Sequence, residues 1–233
     1  MNRIILYDKD GTLLNFHKLW TPYAKKCIDE FAKDFNAHDI KSEVAEELGY
    51  IDEEIKANST IASGTGTDIH KVFESFRRGG GEWAKSFYES NLQMLADDMV
   101  LIDGVETVLE HGLNNGYKNV IVTSDSRDST LRFIEKFELQ PYIFDVICGD
   151  DNDYHKPQFG FIKDFIDKHQ YAIEDLVMVG DNAADTMLGY DEGLYTIGVL
   201  SGTGQLEHLT GADKIVDSIK DLYDADGKFI LDA

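Results

Sequence analysis

The sequence predicts an α/β fold: a parallel sheet covered by helices on both faces, with a helical bundle inserted after the first strand. Three observations predict it. Beyond residue 100, short apolar runs alternate with segments of helical period, the rhythm of strand–helix–strand units. Between residues 16 and 97 the period is helical and no convincing strand interrupts it. Ile4 to Tyr7, standing ahead of that block, is the kind of continuous apolar run that a sheet buries on both faces. The chain therefore divides into an α/β core, residues 1–15 and 98–233, and an inserted helical cap, residues 16–97.

The elements follow in order. Strand Ile4–Tyr7 is closed by Asp8-Lys9-Asp10-Gly11, a turn sequence. Thr21-Pro22 reads as an N-cap and first-turn pair, followed by Tyr23, Cys27, Ile28, Phe31 and Phe35 at helical spacing. Ile40, Val44 and Leu48 mark a second helix over about 39–49. Ile69, Val72, Phe73 and Phe76 mark a third, and Trp83, Phe87, Leu92 and Leu95 a fourth. Gly64-Thr65-Gly66 and Gly79-Gly80-Gly81 read as flexible joints. The core then runs helix 105–113, strand 119–123, helix 126–137, strand 144–147, helix 158–169, strand 176–179, helix 183–189 and strand 195–199. A last short strand at 214–216 and a last helix at 218–222 complete it.

Composition narrows the function. Of 233 residues, 22 are Lys or Arg and 44 Asp or Glu, a net charge of −22. Such a surface repels a phosphate backbone and anionic headgroups, so neither nucleic acid nor a membrane is an expected partner. No apolar run reaches membrane-spanning length, and the run before Asp8 is too short for a signal peptide. Two cysteines, Cys27 and Cys148, cannot make a disulfide framework; they read as reduced thiols of a cytoplasmic protein. Nothing distinguishes a monomer from a homodimer.

In open α/β sheets, ligands bind beyond the carboxyl ends of the strands. Four polar clusters fall there: Asp8 and Asp10; Thr123, Ser124 and Asp125; Lys156; and Gly180-Asp181-Asn182-Ala183-Ala184-Asp185. Two carboxylates one residue apart offer a nucleophile and an acid/base. With Asp181 and Asp185 they would repel one another unless a cation sits among them, and hard oxygen ligands favour Mg²⁺. Thr123 can hydrogen-bond a phosphate oxygen, and Lys156 supplies positive charge for the same group. Gly11 permits a sharp turn beside the substrate.

Tyr7-Asp8-Lys9-Asp10-Gly11-Thr12-Leu13, Val122-Thr123, Lys156-Pro157 and Val179-Gly180-Asp181-Asn182-Ala183-Ala184-Asp185, in that order, resemble the four motifs of the haloacid dehalogenase superfamily. The helical block resembles its cap. Gly198-Val199-Leu200-Ser201-Gly202-Thr203 and Gly211-Ala212-Asp213 are similar to its phosphoglycolate-phosphatase-like branch. The resemblance covers the core and is only architectural in the cap. It implies a Rossmann-like core and a Mg²⁺-dependent phosphatase of small phosphorylated metabolites, 2-phosphoglycolate among them. Asp8 would form an aspartyl-phosphate, and Asp10 would protonate the leaving alcohol and then activate water. Thr123, Ser124 and Lys156 would bind the phosphoryl group. The metal would be held by Asp8, the Asp10 backbone carbonyl and Asp181, with Asp185 beside it or reaching it through water.

Two features depart from the pattern. Lys9 stands where an apolar residue is common; it adds charge near the site or points to solvent. Gln158-Phe159-Gly160 lacks the second proline common after the lysine. A β-phosphoglucomutase-type phosphomutase is the nearest alternative, but such enzymes usually carry a His about ten residues beyond the second aspartate, where this chain has Trp20. A non-enzymatic binding member would be expected to lose Asp8 or Asp10, and both are present. Trp20 reads as bundle packing, His17 as a surface residue and His155 as a loop residue. Arg77 and Arg78 read as a favourable helix end, with contact to an anionic substrate the less favoured reading.

Overall fold

The computed structural model describes residues 3–151 and 153–232; Met1, Asn2, Asn152 and Ala233, which the expected core segments include, lie outside the described residues. β1 (Ile4–Tyr7) is fully buried. The chain then leaves the sheet for α1 (Phe16–Asp34), α2 (Lys41–Leu48), a hairpin of β2 (Tyr50–Ile51) and β3 (Glu54–Ile55), α3 (Thr60–Ser63), α4 (Gly66–Phe76) and α5 (Gly80–Asp98). These helices enclose an apolar cluster of their own around Ile28, Phe31, Val44, Leu48 and Phe73. Aromatic packing dominates it: the Phe31 and Phe73 rings lie 4.8 Å apart, and Trp83 stacks on Phe87 at 5.0 Å.

Three local expectations need correction. First, α1 begins at Phe16, where the Asn15 side chain accepts a hydrogen bond from the Lys18 N–H at 3.2 Å, and Pro22 lies inside the helix. A proline there costs about 3 kcal/mol. Extending the helix back buries Phe16 and Leu19, each contributing roughly 1.5–3 kcal/mol, so the longer helix wins. Second, the β2–β3 hairpin does interrupt the helices; its turn residues Asp52 and Glu53 both have positive φ, the geometry of a type I′ turn without its usual glycine. Third, the glycine segments are fixed rather than flexible. Thr65 caps α4 reciprocally with Asp68, and the Glu74 carboxylate accepts from the N–H groups of Gly79 and Gly81, each at 3.0 Å. Gly80 packs so tightly on α4 that a Cβ would lie 2.3 Å from the Phe73 carbonyl oxygen.

The two chain crossings between insert and core run side by side. Asn15 N–H donates to the Val100 carbonyl at 2.8 Å, and Ile102 N–H to that of Leu13 at 2.9 Å. The core continues with α6 (Val105–Asn114), β4 (Lys118–Val122), α7 (Arg127–Lys136), β5 (Ile143–Ile147), α8 (Gly160–His169), β6 (Leu176–Gly180), α9 (Ala183–Thr186), β7 (Tyr195–Val199) and β8 (Lys214–Val216). The last expected helix is a 3-10 turn, Ile219–Leu222, capped by Ser218. The six strands pair in parallel in the order β5-β4-β1-β6-β7-β8. Alternate residues face opposite layers: Ile5 and Tyr7 join the cluster of α6 and α7, while Ile4 and Leu6 join that of α8.

Register places the chemistry. Tyr7 lies opposite Ile121 on one side and Val179 on the other, so Asp8 leaves the sheet one residue before Thr123 and Asp181 leave theirs. Chain order reverses around β1, the position where such sheets bind ligands. Among the described residues, no helix is long and apolar enough to cross a membrane.

Candidate active site

Asp8 is the first residue beyond β1, tied to the sheet by its N–H donating to the Val179 carbonyl at 2.8 Å. Its carboxylate is buried. Oδ1 accepts from Lys156 Nζ at 2.6 Å, and Oδ2 has no partner. Lys156 Nζ also donates to Asp185 Oδ1 at 2.6 Å and to the Val122 carbonyl at 3.3 Å, bridging two acids beneath the ends of β1 and β4. Burial opposes its charge, but the two carboxylates outweigh that and raise its pKa. Asp185 Oδ2 accepts from the Asn182 N–H at 3.2 Å, closing a capping box on α9.

Asp181, fully buried, is set by a loop from another part of the chain. Its Oδ2 accepts from the Thr203 N–H at 2.6 Å and the Thr203 hydroxyl at 3.0 Å. Oδ1 receives only a long 3.4 Å contact from the Asn182 amide. Two glycines make room. A Cβ on Gly202 would lie 2.0 Å from Asp181 Oδ2, and one on Gly11, whose φ is +99°, would lie 2.5 Å from the same carboxyl group.

Asp8, Asp181 and Asp185 each offer an oxygen within 4.8 Å of the others. Burial and mutual repulsion push Asp8 up to about 7, despite Lys156, and hold Asp181 well above the usual carboxylate range. An almost free buried oxygen on Asp181 and this unrelieved repulsion among three acids fit a hard divalent cation.

Asp10 lies on the other side of the turn, in a network that the sequence reading did not anticipate. Its Oδ1 accepts from Trp20 Nε1 at 2.6 Å, and its Oδ2 pairs with Lys9 Nζ at 2.7 Å. Lys9 is wholly buried and also pairs with Asp125 Oδ2 at 2.9 Å. The Tyr88 hydroxyl, from α5, donates to Asp125 Oδ1 at 2.8 Å. Thus Lys9 does not reach solvent, and Trp20 does more than pack the bundle. Both insert helices that face the core, α1 and α5, place a donor on a core carboxylate. Burial lifts the Asp10 pKa; Lys9 resists while Asp125 and Asp8 reinforce the rise. For Asp125 the balance goes the other way, with Lys9 and the donated hydrogen bonds outweighing burial to hold it low.

Thr123 is buried, its Oγ1 accepting from the Asp125 N–H at 3.1 Å, which leaves its hydroxyl hydrogen free to donate. Thr123, Ser124, Asp8, Asp10 and Lys156 open into one cavity of about 500 Å³ between insert and core. His17 and Arg78 are exposed and outside it, as is the half-buried Arg77, which faces Asp39 at 3.6 Å. His155 is half-buried in the loop before Lys156.

The family model for haloacid dehalogenase-like hydrolases matches residues 5–199. The chain belongs to this family. Among curated haloacid dehalogenase-like relatives, a phosphoglycolate phosphatase of Vibrio parahaemolyticus is 24% identical over 230 residues, covering 95% of each chain. The pyrophosphatase PpaX of Listeria innocua is 25% identical over 223 residues, covering 94% of this chain and 93% of its own. The crystal structure of a hydrolase from Pseudomonas syringae superposes with a TM-score of 0.67 at 19% identity, covering 95% of this chain and 96% of the other. The expected architecture, a Rossmann-like parallel sheet with a helical insert, is the one this family shares.

Proposed function

We propose that the chain is a Mg²⁺-dependent phosphatase that hydrolyses a small phosphomonoester through an aspartyl-phosphate. The observation that carries this reading is the Asp8 carboxylate. It is fixed at the end of the central strand, with one oxygen held by Lys156 and the other unpartnered, beside Asp181 and Asp185. The free oxygen attacks phosphorus, and the ester oxygen departs with a proton from Asp10. A water then attacks the phosphorus of the aspartyl-phosphate and passes its proton to Asp10, which frees Asp8 and releases phosphate. The raised Asp10 pKa suits both transfers. Thr123, Ser124 and Lys156 bind the phosphoryl oxygens.

Asp8, Asp181 and the Asp10 backbone carbonyl would hold Mg²⁺, with Asp185 reaching it directly or through water. The ion would neutralise phosphoryl charge and orient the group. The indole at position 20 favours phosphatase over phosphomutase, because its N–H is committed to Asp10 and it has no titratable proton to shuttle. Similarity to the Vibrio phosphoglycolate phosphatase and the Listeria pyrophosphatase puts 2-phosphoglycolate and pyrophosphate on the substrate panel. Buried free Cys27 and Cys148 are in keeping with a reducing, cytoplasmic compartment.

The test is turnover of 4-nitrophenyl phosphate. Asp8→Asn should abolish it while the circular dichroism spectrum stays native; near-native rates would refute the nucleophile. EDTA should silence the native enzyme and Mg²⁺ restore it; activity indifferent to chelation would remove the metal.

A further inference from the structure

We infer that the leaving group of this phosphoester is an uncharged alcohol carrying a ring, not a carboxylate such as glycolate or a second phosphate. The inference rests on the phosphatase reading and concerns the half of the cavity that the phosphoryl group does not fill.

On the insert side the lining is mostly apolar and aromatic. Phe16, Trp20 and Tyr23 of α1, Ile69 of α4, and Ala84 and Leu92 of α5 form it. A cavity of about 500 Å³ lies in the range that encloses a ring-sized ligand, and it greatly exceeds what a two-carbon acid can fill. Aromatic faces in such a wall favour stacking or edge contact with a ring.

Charge points the same way. Both oxygens of a carboxylate, or the oxygens of a second phosphate, would need cationic or donor partners once removed from water. Among the described residues, the only Lys or Arg side chains lining the cavity are Lys156 and Lys85. Lys156 is engaged by Asp8 and Asp185. Lys85 is solvent-exposed at the rim, one helical turn before the acidic Glu89. His70, the nearest other candidate, is kept below the usual histidine pKa by burial and by Lys85, so it faces the cavity uncharged near neutrality. Asp128 and Asp150 add negative charge on the core side. An anionic leaving group would meet the carboxylates of Glu89, Asp128 and Asp150, with the exposed Lys85 as the one cation, among the described residues, not already paired to the site acids. A neutral ring would lose little and cover the apolar wall, with the Thr67 hydroxyl beside its polar edge.

The experiment compares four esters by phosphate release from the Mg²⁺-loaded enzyme: 2-phenylethyl phosphate, ethyl phosphate, 2-phosphoglycolate and pyrophosphate. The first three share a primary alkyl oxygen, so differences among them report mainly on the cavity. The expected kcat/KM for 2-phenylethyl phosphate exceeds each of the others at least tenfold. Leu92→Arg, placing a cation in the apolar wall, should shrink its advantage over 2-phosphoglycolate. Equal or better hydrolysis of 2-phosphoglycolate or pyrophosphate by the native enzyme would overturn the inference and leave the phosphatase standing. Failure to hydrolyse any of the four, or acetyl phosphate, would instead remove the phosphatase reading and the inference with it.

Discussion

Replacing Trp20 by Phe tests whether the insert takes part in proton transfer. The substitution keeps an aromatic ring in a half-buried position and deletes one donor, the indole N–H that lies 2.6 Å from Asp10 Oδ1. Hydrogen bonds to a charged group contribute about 1.5–3 kcal/mol. If that energy fixes Asp10 in its productive orientation, its loss slows the acid-dependent step by roughly 10- to 150-fold. The full worth of a general acid, about 10²- to 10⁴-fold, sets the ceiling. Lys9 still holds the other oxygen, so the lower half of the range is expected. The assay exploits leaving-group chemistry. Ethyl phosphate expels a poor leaving group that needs the proton, whereas 4-nitrophenyl phosphate expels a good one that does not. Single-turnover formation of the phosphorylated enzyme should therefore fall at least tenfold for ethyl phosphate and less than threefold for 4-nitrophenyl phosphate. Equal losses on both esters, or none on either, would refute the positioning role and leave Trp20 as a packing residue.

Two further outcomes are expected. Thr203→Val removes the hydroxyl that orients Asp181 but keeps the backbone donor, so the Mg²⁺ concentration for half-maximal activity should rise about 10-fold, toward the lower end of what such supporting contacts contribute; an unchanged Mg²⁺ titration would contradict the assignment. In metal-free protein, Asp8 and Asp181 have folded-state pKa values above their unfolded ones, so the native state binds more protons and its stability falls as pH rises through that of Asp8, about 7. Thermal melts with EDTA should accordingly show a rising midpoint from pH 8 to pH 6, with a slope of at most about 1.4 kcal/mol per pH unit for each proton, and Asp8→Asn should flatten it; a midpoint that falls on acidification would be the contrary result.

The sheet and its polar strand ends were legible because apolar runs and terminal acids obey short-range rules. Asp8, Thr123, Lys156, Asp181 and Asp185 could be placed at one end of the sheet because each follows the end of an apolar run. What escaped was set by contacts between distant segments. Lys9 reads as either added charge near the site or a solvated residue until Asp125, 116 residues away, is seen to face it. Trp20 looks like bundle packing because nothing local shows that its N–H points at Asp10. Thr203 lies on a loop whose meaning depends on Asp181, 22 residues earlier in the chain. The start of α1 is hidden for a related reason: Pro22 is a strong local signal, but burial of Phe16 and Leu19 is a tertiary gain that overrides it.

The paired crossings at Asn15–Val100 and Leu13–Ile102 bear on how the chain finds its sheet. Ile4 must meet Lys118, a separation of 118 − 4 = 114 residues. Once Leu14 and Leu101 are joined, the remaining path is (14 − 4) + (118 − 101) = 27 residues. Loop-closure entropy grows with the logarithm of length, so the shortcut lowers the cost of docking the first strand by roughly 1.3 kcal/mol. The clasp thus makes a distant strand pairing entropically closer to a local one, and weakening it should slow refolding more than it speeds unfolding, as stopped-flow fluorescence would show.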